Sequence, residues 1–271
     1  MTQPRPSIET VRHDLGIRLL RVTESERIGP RMQRVVLDGE DLDGTFPFPA
    51  RAATDHVKLV FPDPSTGVVA LPLREPDGSG LRLRELANPV RDYTVRRLDH
   101  RGLTIDFVLH AHGPAGRWAQ TALPGMPLGV LGPRGSHLYP TGYDRYVLIG
   151  DETALPAVGR WLDATAWTAP MEVHVLAAGT DEYPLPDRTR TDVVWHVSPD
   201  PTARAEAVTA LATELSLTDD TFVWAAGEAD SLVPLRRTLR ERGLARAQYD
   251  IDGYWRTGVV NLDHHAVSDD D

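Results

Sequence analysis

The chain contains no cysteine. Disulfides are excluded, and so is an iron–sulfur cluster held by thiolates. If electrons pass through this chain, an organic cofactor has to carry them. Lysine is nearly absent too: Lys58 is the one lysine among 29 basic residues, so any cationic patch is built from arginine. No apolar run reaches the roughly 18 residues that a membrane-spanning helix needs. The opening Met1-Thr2-Gln3-Pro4-Arg5-Pro6 lacks an apolar signal region. Together these two absences imply a cytoplasmic protein with no membrane span. The formal net charge of −10 argues against general nucleic-acid binding. The chain shows no internal repeat, no Ser/His/Asp arrangement in hydrolase context, and no Gly-x-Gly-x-x-Gly after a strand.

What is present divides the chain in two. Residues 1–140 read as antiparallel β, with short strand candidates at Gly16–Val22, Met32–Leu37, His56–Phe61, Tyr93–Leu98, Leu103–His110 and Leu128–Leu131 separated by turn signals. Six such strands suit a small closed barrel. Between Pro62 and Pro89 lies a Pro/Gly/Arg-rich stretch in which Leu81–Leu86 reads as an edge strand or as part of a lid. Residues 143–258 alternate strands (Arg145–Ile149, Met171–Ala177, Val193–Val197, Phe222–Ala225, Gln248–Ile251) with helices (Ala154–Thr165, Ala203–Leu215, Leu232–Arg242), the pattern of a parallel-sheet α/β domain. Residues 259–271 end in Ser268-Asp269-Asp270-Asp271 and read as a disordered acidic tail, with His264 and His265 solvated rather than metal ligands.

The stretch Arg91-Asp92-Tyr93-Thr94-Val95-Arg96 carries the most chemistry. On a strand, Arg91 and Tyr93 share one face and Thr94 takes the other. A flat aromatic beside a cation suits a flavin, the phenol lying against the ring and the guanidinium reaching phosphate. Read without context, the same residues make an amphipathic strand with a surface arginine. A strand ending at His110 follows, then Ala111-His112-Gly113-Pro114-Ala115-Gly116-Arg117-Trp118. Pro114 suits the first helical position. Gly113, Ala115 and Gly116 permit close backbone approach, and free N–H groups at a helix start suit phosphate. In the second half, Asp151-Glu152-Thr153 and Gly227-Glu228 follow strands and line one crevice at their carboxyl ends. Asp151–Thr153 reads equally well as a helix N-cap.

These pieces, in this order, resemble the siderophore-interacting proteins, FAD-containing ferric-siderophore reductases of the ferredoxin-reductase-like superfamily. Matching segments are Asp55–Pro62, Arg91–Arg96, Phe107–Trp118, Gly132-Pro133-Arg134-Gly135-Ser136, Gly150–Ala157, Ala226–Ala229 and Gly253-Tyr254-Trp255-Arg256-Thr257-Gly258. One departure stands out: the turn usually reads Gly-Pro-Ala-Ser, and Gly116 occupies the serine position, removing a hydroxyl that would face phosphate.

The resemblance implies a six-stranded antiparallel FAD-binding barrel followed by a parallel-sheet α/β domain for NAD(P)H. It implies catalytic roles for Tyr93 and Thr94. Cofactor contacts are implied for Arg91, Tyr93, Thr94, Val95, His110, Gly113, Ala115, Gly116, Asp151, Glu152, Thr153, Gly227, Glu228 and Trp255. Lys58, Arg134 and Arg256 are the cations assigned to a ferric siderophore. Bland readings stand beside several of these: His110 as a hydrogen-bonded strand residue, Arg134 as a turn residue, Trp255 as a core cap. The electron donor is left open among NADPH, NADH and ferredoxin. Asp181 and Glu182 are placed for a ribose hydroxyl, and Arg188 or Arg190 for a 2′-phosphate. A general flavin or ferredoxin-type reductase, and a siderophore-binding protein without redox turnover, are the alternative functions.

Overall fold

The computed structural model describes residues 6–260 apart from 79, 111, 112, 181 and 182. The acidic tail with His264 and His265, the acids Asp181 and Glu182, and Ala111 and His112 lie outside the described residues. The chain forms two units, one spanning Thr10–Leu138 and the other gathering residues 6–9 and 139–260.

The first unit runs through β1 (Glu9–Arg12), β2 (Ile17–Gly29), β3 (Met32–Asp38), β4 (His56–Val60), β5 (Val90–Asp99), β6 (Gly102–Val108), α1 (Pro114–Gln120), β7 (Pro127–Leu131) and β8 (Gly135–Leu138). Six of these close a barrel in the order β2-β3-β6-β5-β4-β7, and β1 pairs with β8. Alternation decides the barrel's inside: Leu20 and Val22, Val57 and Leu59, Leu103, Ile105 and Phe107, and Leu128 and Val130 meet in one core. The turn into β6 requires glycine. Gly102 has φ +121, and a Cβ there would lie 2.3 Å from the Leu37 carbonyl oxygen.

Two local expectations change. The first barrel strand does not stop at Val22 but continues to Gly29, because Glu24–Arg27 keep pairing with β3 as a solvated hairpin arm. The expected edge strand at Leu81–Leu86 is a single bridge from Leu81 to Arg74 followed by a 3-10 turn, Leu83–Glu85. The long loop is closed by side chains instead. The Asn88 amide donates to the carbonyls of Phe61 and Val68, and Asp63 accepts from the Ser65 and Thr66 N–H groups.

The second unit runs β9 (Arg145–Asp151), α2 (Leu155–Asp163), β10 (Met171–Ala177), β11 (Thr191–Val197), α3 (Pro201–Glu214), β12 (Thr221–Glu228), α4 (Val233–Glu241) and β13 (Tyr249–Trp255). Its strands are all parallel, in the order β11-β10-β9-β12-β13. Near-continuous apolar strands follow from burial on both faces. One face of β9 and β12 presents Val147, Ile149, Val223 and Ala225 to α3 and α4. The other carries aromatics, with the rings of Trp161 and Trp167 4.1 Å apart and Tyr139 4.9 Å from Trp161. Strand order reverses between β9 and β12, the switch point at which doubly wound sheets bind ligands beyond their carboxyl ends. Among the described residues no helix is long and apolar enough to cross a membrane.

One buried group makes this unit acid-sensitive. His174 on β10 is 5% exposed; its Nδ1 lies 3.0 Å from His196 Nε2, and its Nε2 lies 2.8 Å from Glu172, which also pairs with Arg145. Burial, with Arg145 nearby, pushes His174 down from 6.5 to about 4. The unfolded chain therefore takes up a proton below pH 6.5 that the folded chain refuses until near pH 4, and stability falls with pH through that window. Replacing His174 with Gln should remove on the order of 2 kcal/mol of the stability difference between about pH 7 and pH 5. Denaturant unfolding at both pH values checks this, and equal pH dependence in the two proteins would contradict it.

Candidate functional site

In the barrel unit, β4 and β5 pair Val57 with Tyr93, His56 with Thr94 and Lys58 with Asp92. Tyr93 packs against the barrel core on the same side as Val95, with its ring 4.5 Å from Phe107. Phe107 lies 5.7 Å from Trp118, so a row of three rings ties the motif strand to α1. Burial pushes the Tyr93 phenol well above its ordinary range, opposed by Arg91. Arg91 Nη1 donates to the Val90 carbonyl at 2.7 Å. Thr94 is buried and belongs to the opposite strand face, while the Val95 N–H donates to the Asp55 carbonyl.

The α1 turn explains the departure at Gly116. A Cβ there would lie 2.9 Å from the backbone oxygen of His110, so a serine does not fit this backbone without a shift. Gly113, at φ +91, is the N-cap, and no side chain caps the helix. His110 is exposed, whereas Ala115 and Gly116 are buried. Among the described residues, no side chain accepts from the main-chain N–H groups of this first turn. The Arg91 guanidinium and the Thr94 hydroxyl are further donors on β5, one on each strand face, and groups of this kind suit an anionic dinucleotide such as FAD.

Two of the three cations assigned to a chelate have acidic neighbours. Lys58 Nζ contacts both oxygens of Asp92 at 2.9 and 2.8 Å, and Arg256 Nε lies 3.1 Å from Asp230. Arg134 is exposed on a tightly stitched loop. The His13 N–H donates to the Arg134 carbonyl at 3.0 Å. Ser136 Oγ donates to Asp55 at 2.6 Å and lies 2.7 Å from His13 Nε2. Nothing in the sequence signals this His13–Ser136–Asp55 relay, whose members come from three distant segments.

In the α/β unit, Asp151, Glu152, Gly227, Glu228 and Trp255 gather at the carboxyl ends of β9, β12 and β13. The three acids are 1%, 6% and 3% exposed, too little to line an open crevice. Asp151 Oδ1 accepts from the N–H and hydroxyl of Thr153 at 2.8 and 2.6 Å. Its Oδ2 accepts from the Glu228 N–H at 2.9 Å and the Trp255 indole at 2.8 Å. Thr153 is not a helix cap: α2 starts at Leu155 behind Ala154, an N-cap whose side chain has no acceptor, and the Thr153 hydroxyl donates to Asp151 instead. Glu152 accepts from the Ala178 N–H and pairs at 2.8 Å with buried Arg204, a residue that no sequence motif marks. Glu228 accepts from Ser231 and Thr257. Burial pushes Glu228 up, but these donors outweigh it and hold the group below its ordinary value.

The arginines suggested for a 2′-phosphate lie at the other end of the sheet. Arg188 donates to the carbonyls of Leu162, Ala164 and Trp167 at the end of α2. The Arg190 carbonyl accepts from Met171 at the start of β10. Both are spent on closing the loop into β11, on the amino side of the strands.

Two family models cover most of the chain: the siderophore-interacting FAD-binding domain matches residues 21–137 and the siderophore-interacting protein domain residues 143–258. An NADPH-dependent ferric-chelate reductase of Escherichia coli is 33% identical over 91% of this chain and 96% of its own length. The ferric vibriobactin reductase ViuB of Vibrio cholerae is 31% identical over 94% of this chain and 96% of its own. The crystal structure of a siderophore utilization protein from T. fusca superposes with a TM-score of 0.86 at 45% identity, covering 97% of this chain and all of that one. With both of its domains matched and relatives aligned nearly end to end, this chain belongs to the siderophore-interacting protein family.

Proposed function

We propose that this protein is an FAD-dependent reductase of ferric siderophores that draws electrons from NAD(P)H and releases Fe(II) for cellular iron supply. The observations that carry the reading are the uncapped first turn of α1 and the Tyr93–Phe107–Trp118 row that packs it against the Arg91–Arg96 strand, within the matched FAD-binding domain. FAD, when bound, supplies the redox chemistry, accepting two electrons as hydride and passing them singly to iron. The chain's own task is placement. Arg91 and the Ala115 and Gly116 amides would hold the pyrophosphate, Tyr93 would lie against the ring and Thr94 would donate to its edge, with His110 and Gly113 as neighbouring contacts; Val95, fully buried in the barrel core, is not one of them. Of the residues at the strand ends, the partly exposed Trp255 faces the nicotinamide side; Gly227 and Glu228 are buried behind it and do not contact the cofactor. No protein nucleophile is needed.

The ferric chelate is substrate. Reduction weakens a hard-oxygen chelate, because Fe(II) carries less charge and binds such ligands less strongly. Lys58, Arg134 and Arg256 are assigned to its anionic groups. The names of the two reductase relatives support the acceptor class. A cytoplasmic site fits the reading because NAD(P)H is available there, and ferredoxin is an alternative donor.

The purified protein should be yellow, and chromatography of the extracted cofactor should give FAD rather than FMN. Arg91→Ala should weaken FAD binding by roughly one to two orders of magnitude, the worth of a charge-assisted phosphate contact. Titration with FAD checks this alongside apoprotein melting, and an unchanged affinity would return Arg91 to the plain surface.

A ferrous trap should colour only when reductant, enzyme and ferric siderophore are all present. If flavin is reduced normally but no ferric chelate is reduced above the enzyme-free rate, a general flavin or ferredoxin-type reductase replaces this reading. Binding of ferric chelate by a protein that takes up no flavin would indicate a carrier.

Neutralising Lys58, Arg134 and Arg256 together should raise KM for the ferric siderophore, more so at low salt. Reduction of the flavin by NAD(P)H should be nearly unchanged. Equal losses in both half-reactions would assign these residues to the cofactor or the fold.

A further inference from the structure

Among the described tryptophans, Trp255 is the one whose indole N–H reaches a carboxylate. Those of Trp118, Trp161 and Trp224 are buried with no partner, that of Trp167 meets the Pro140 carbonyl, and that of Trp195, on the edge strand β11, meets no carboxylate. Three features build the Trp255 contact. First, β13 carries an extra residue opposite β12: Gly227 pairs with Gly253, but Glu228 pairs with Trp255, skipping Tyr254. Such a bulge changes which face a side chain takes. The Ala229 N–H then fastens the Trp255 carbonyl at 2.8 Å. Second, Gly227 leaves room for the acid: at φ +153 it lacks a Cβ that would sit 2.7 Å from Asp151 Oδ2. Third, the Arg204 guanidinium stands 5.8 Å from the Trp255 ring centroid, itself held by Glu152. The indole is thus gripped at its N–H by one buried acid and over its face by a cation that a second buried acid holds.

We infer that Asp151 is a positioning residue for the donor half-reaction: it contacts no cofactor and acts by fixing the Trp255 indole at the switch point of the sheet. The inference rests on the proposed reading of this unit as the NAD(P)H domain, and it replaces the expected direct cofactor contact of Asp151. Only a carboxylate serves. Each Asp151 oxygen faces at least one N–H: Glu228 and Trp255 at Oδ2, Thr153 at Oδ1. Asparagine has the same shape, but whichever way its amide is turned, its NH2 opposes an N–H.

The test uses the intact holoprotein labelled with 15N, with the Trp255 indole resonance assigned by Trp255→Phe. Asp151→Asn should move that resonance upfield and remove its protection from exchange. In stopped-flow reduction of the bound flavin by NADH and by NADPH, Asp151→Asn and Trp255→Phe should each lower the limiting rate by about tenfold or more, as expected for loss of a hydrogen bond to a charged group. The double variant should be no slower than the worse single one. Reoxidation of the photoreduced enzyme by ferric chelate should stay within about twofold of wild type, which separates positioning from general damage. Additive losses, or an unmoved indole resonance in Asp151→Asn, would overturn the inference. Should Asp151→Asn not fold, Trp255→Phe decides alone: unimpaired reduction would leave Asp151 nothing to act through. If neither nucleotide reduces the wild-type flavin, the donor reading itself has failed, and the inference falls with it whatever the indole resonance does.

Discussion

A carboxylate taken out of water must be surrounded by donors, and the α/β unit meets that demand at the place where its sheet reverses direction. Asp151 ends β9, and its donors come from the following turn, from the end of β12 and from the end of β13. Burial, with Glu152 beside it, pushes this carboxyl above its ordinary value, and Arg204, Thr153 and Trp255 oppose that push without reversing it. Glu152 and Glu228 repeat the arrangement on either side, one tied to Ala178 and Arg204, the other to Ser231 and Thr257. The strand ends are therefore held to one another by side chains as well as by the sheet ladder. Removing an acid here leaves several buried N–H groups unpaired at once, so the switch point is set as a unit.

The barrel unit solves a different problem. On the proposed reading its α1 turn binds pyrophosphate, and such a turn has to expose main-chain N–H groups while its surroundings stay packed. Here the packing is aromatic, with Tyr93, Phe107 and Trp118 in contact from β5 through β6 to α1 and Phe61 against all three. Gly116 lets the turn close onto His110 where a side chain would collide with the main chain. A serine at this position would not fit the local backbone without a shift, and on the proposed reading the main-chain donors do the binding.

Electrostatics sets a further constraint. A protein of net charge −10 that receives an anionic substrate relies on local cations, since the overall field repels it. Lys58 and Arg256 each carry an acidic neighbour within the fold. Each pair is partly exposed, where ion pairs contribute little to stability; on the proposed reading, a chelate's anionic groups compete with the aspartates for these cations.

Sequence periodicity and motif order determined the class of fold. Inward-facing residues every second position in the first half and alternating strands and helices in the second are local patterns, written in neighbouring residues. The motifs around Arg91–Arg96 and Trp255 identified the family in the same way. Pairing partners were decided only by tertiary structure. Asp151 lies 104 residues from Trp255, Glu152 lies 52 from Arg204 and Ser136 lies 81 from Asp55. No local pattern encodes separations of that kind. Thr153 reads as a cap because its neighbours suit one, yet the stronger claim of a buried carboxylate turns its hydroxyl away from the helix. Arg188 and Arg190 follow a strand in the sequence, but the path of the chain brings them to the amino end of the sheet, where carbonyl groups need donors. Leu81–Leu86 has strand-like residues but no neighbouring strand beyond one bridge, and without a ladder partner an extended segment has no hydrogen bonds to keep it a strand.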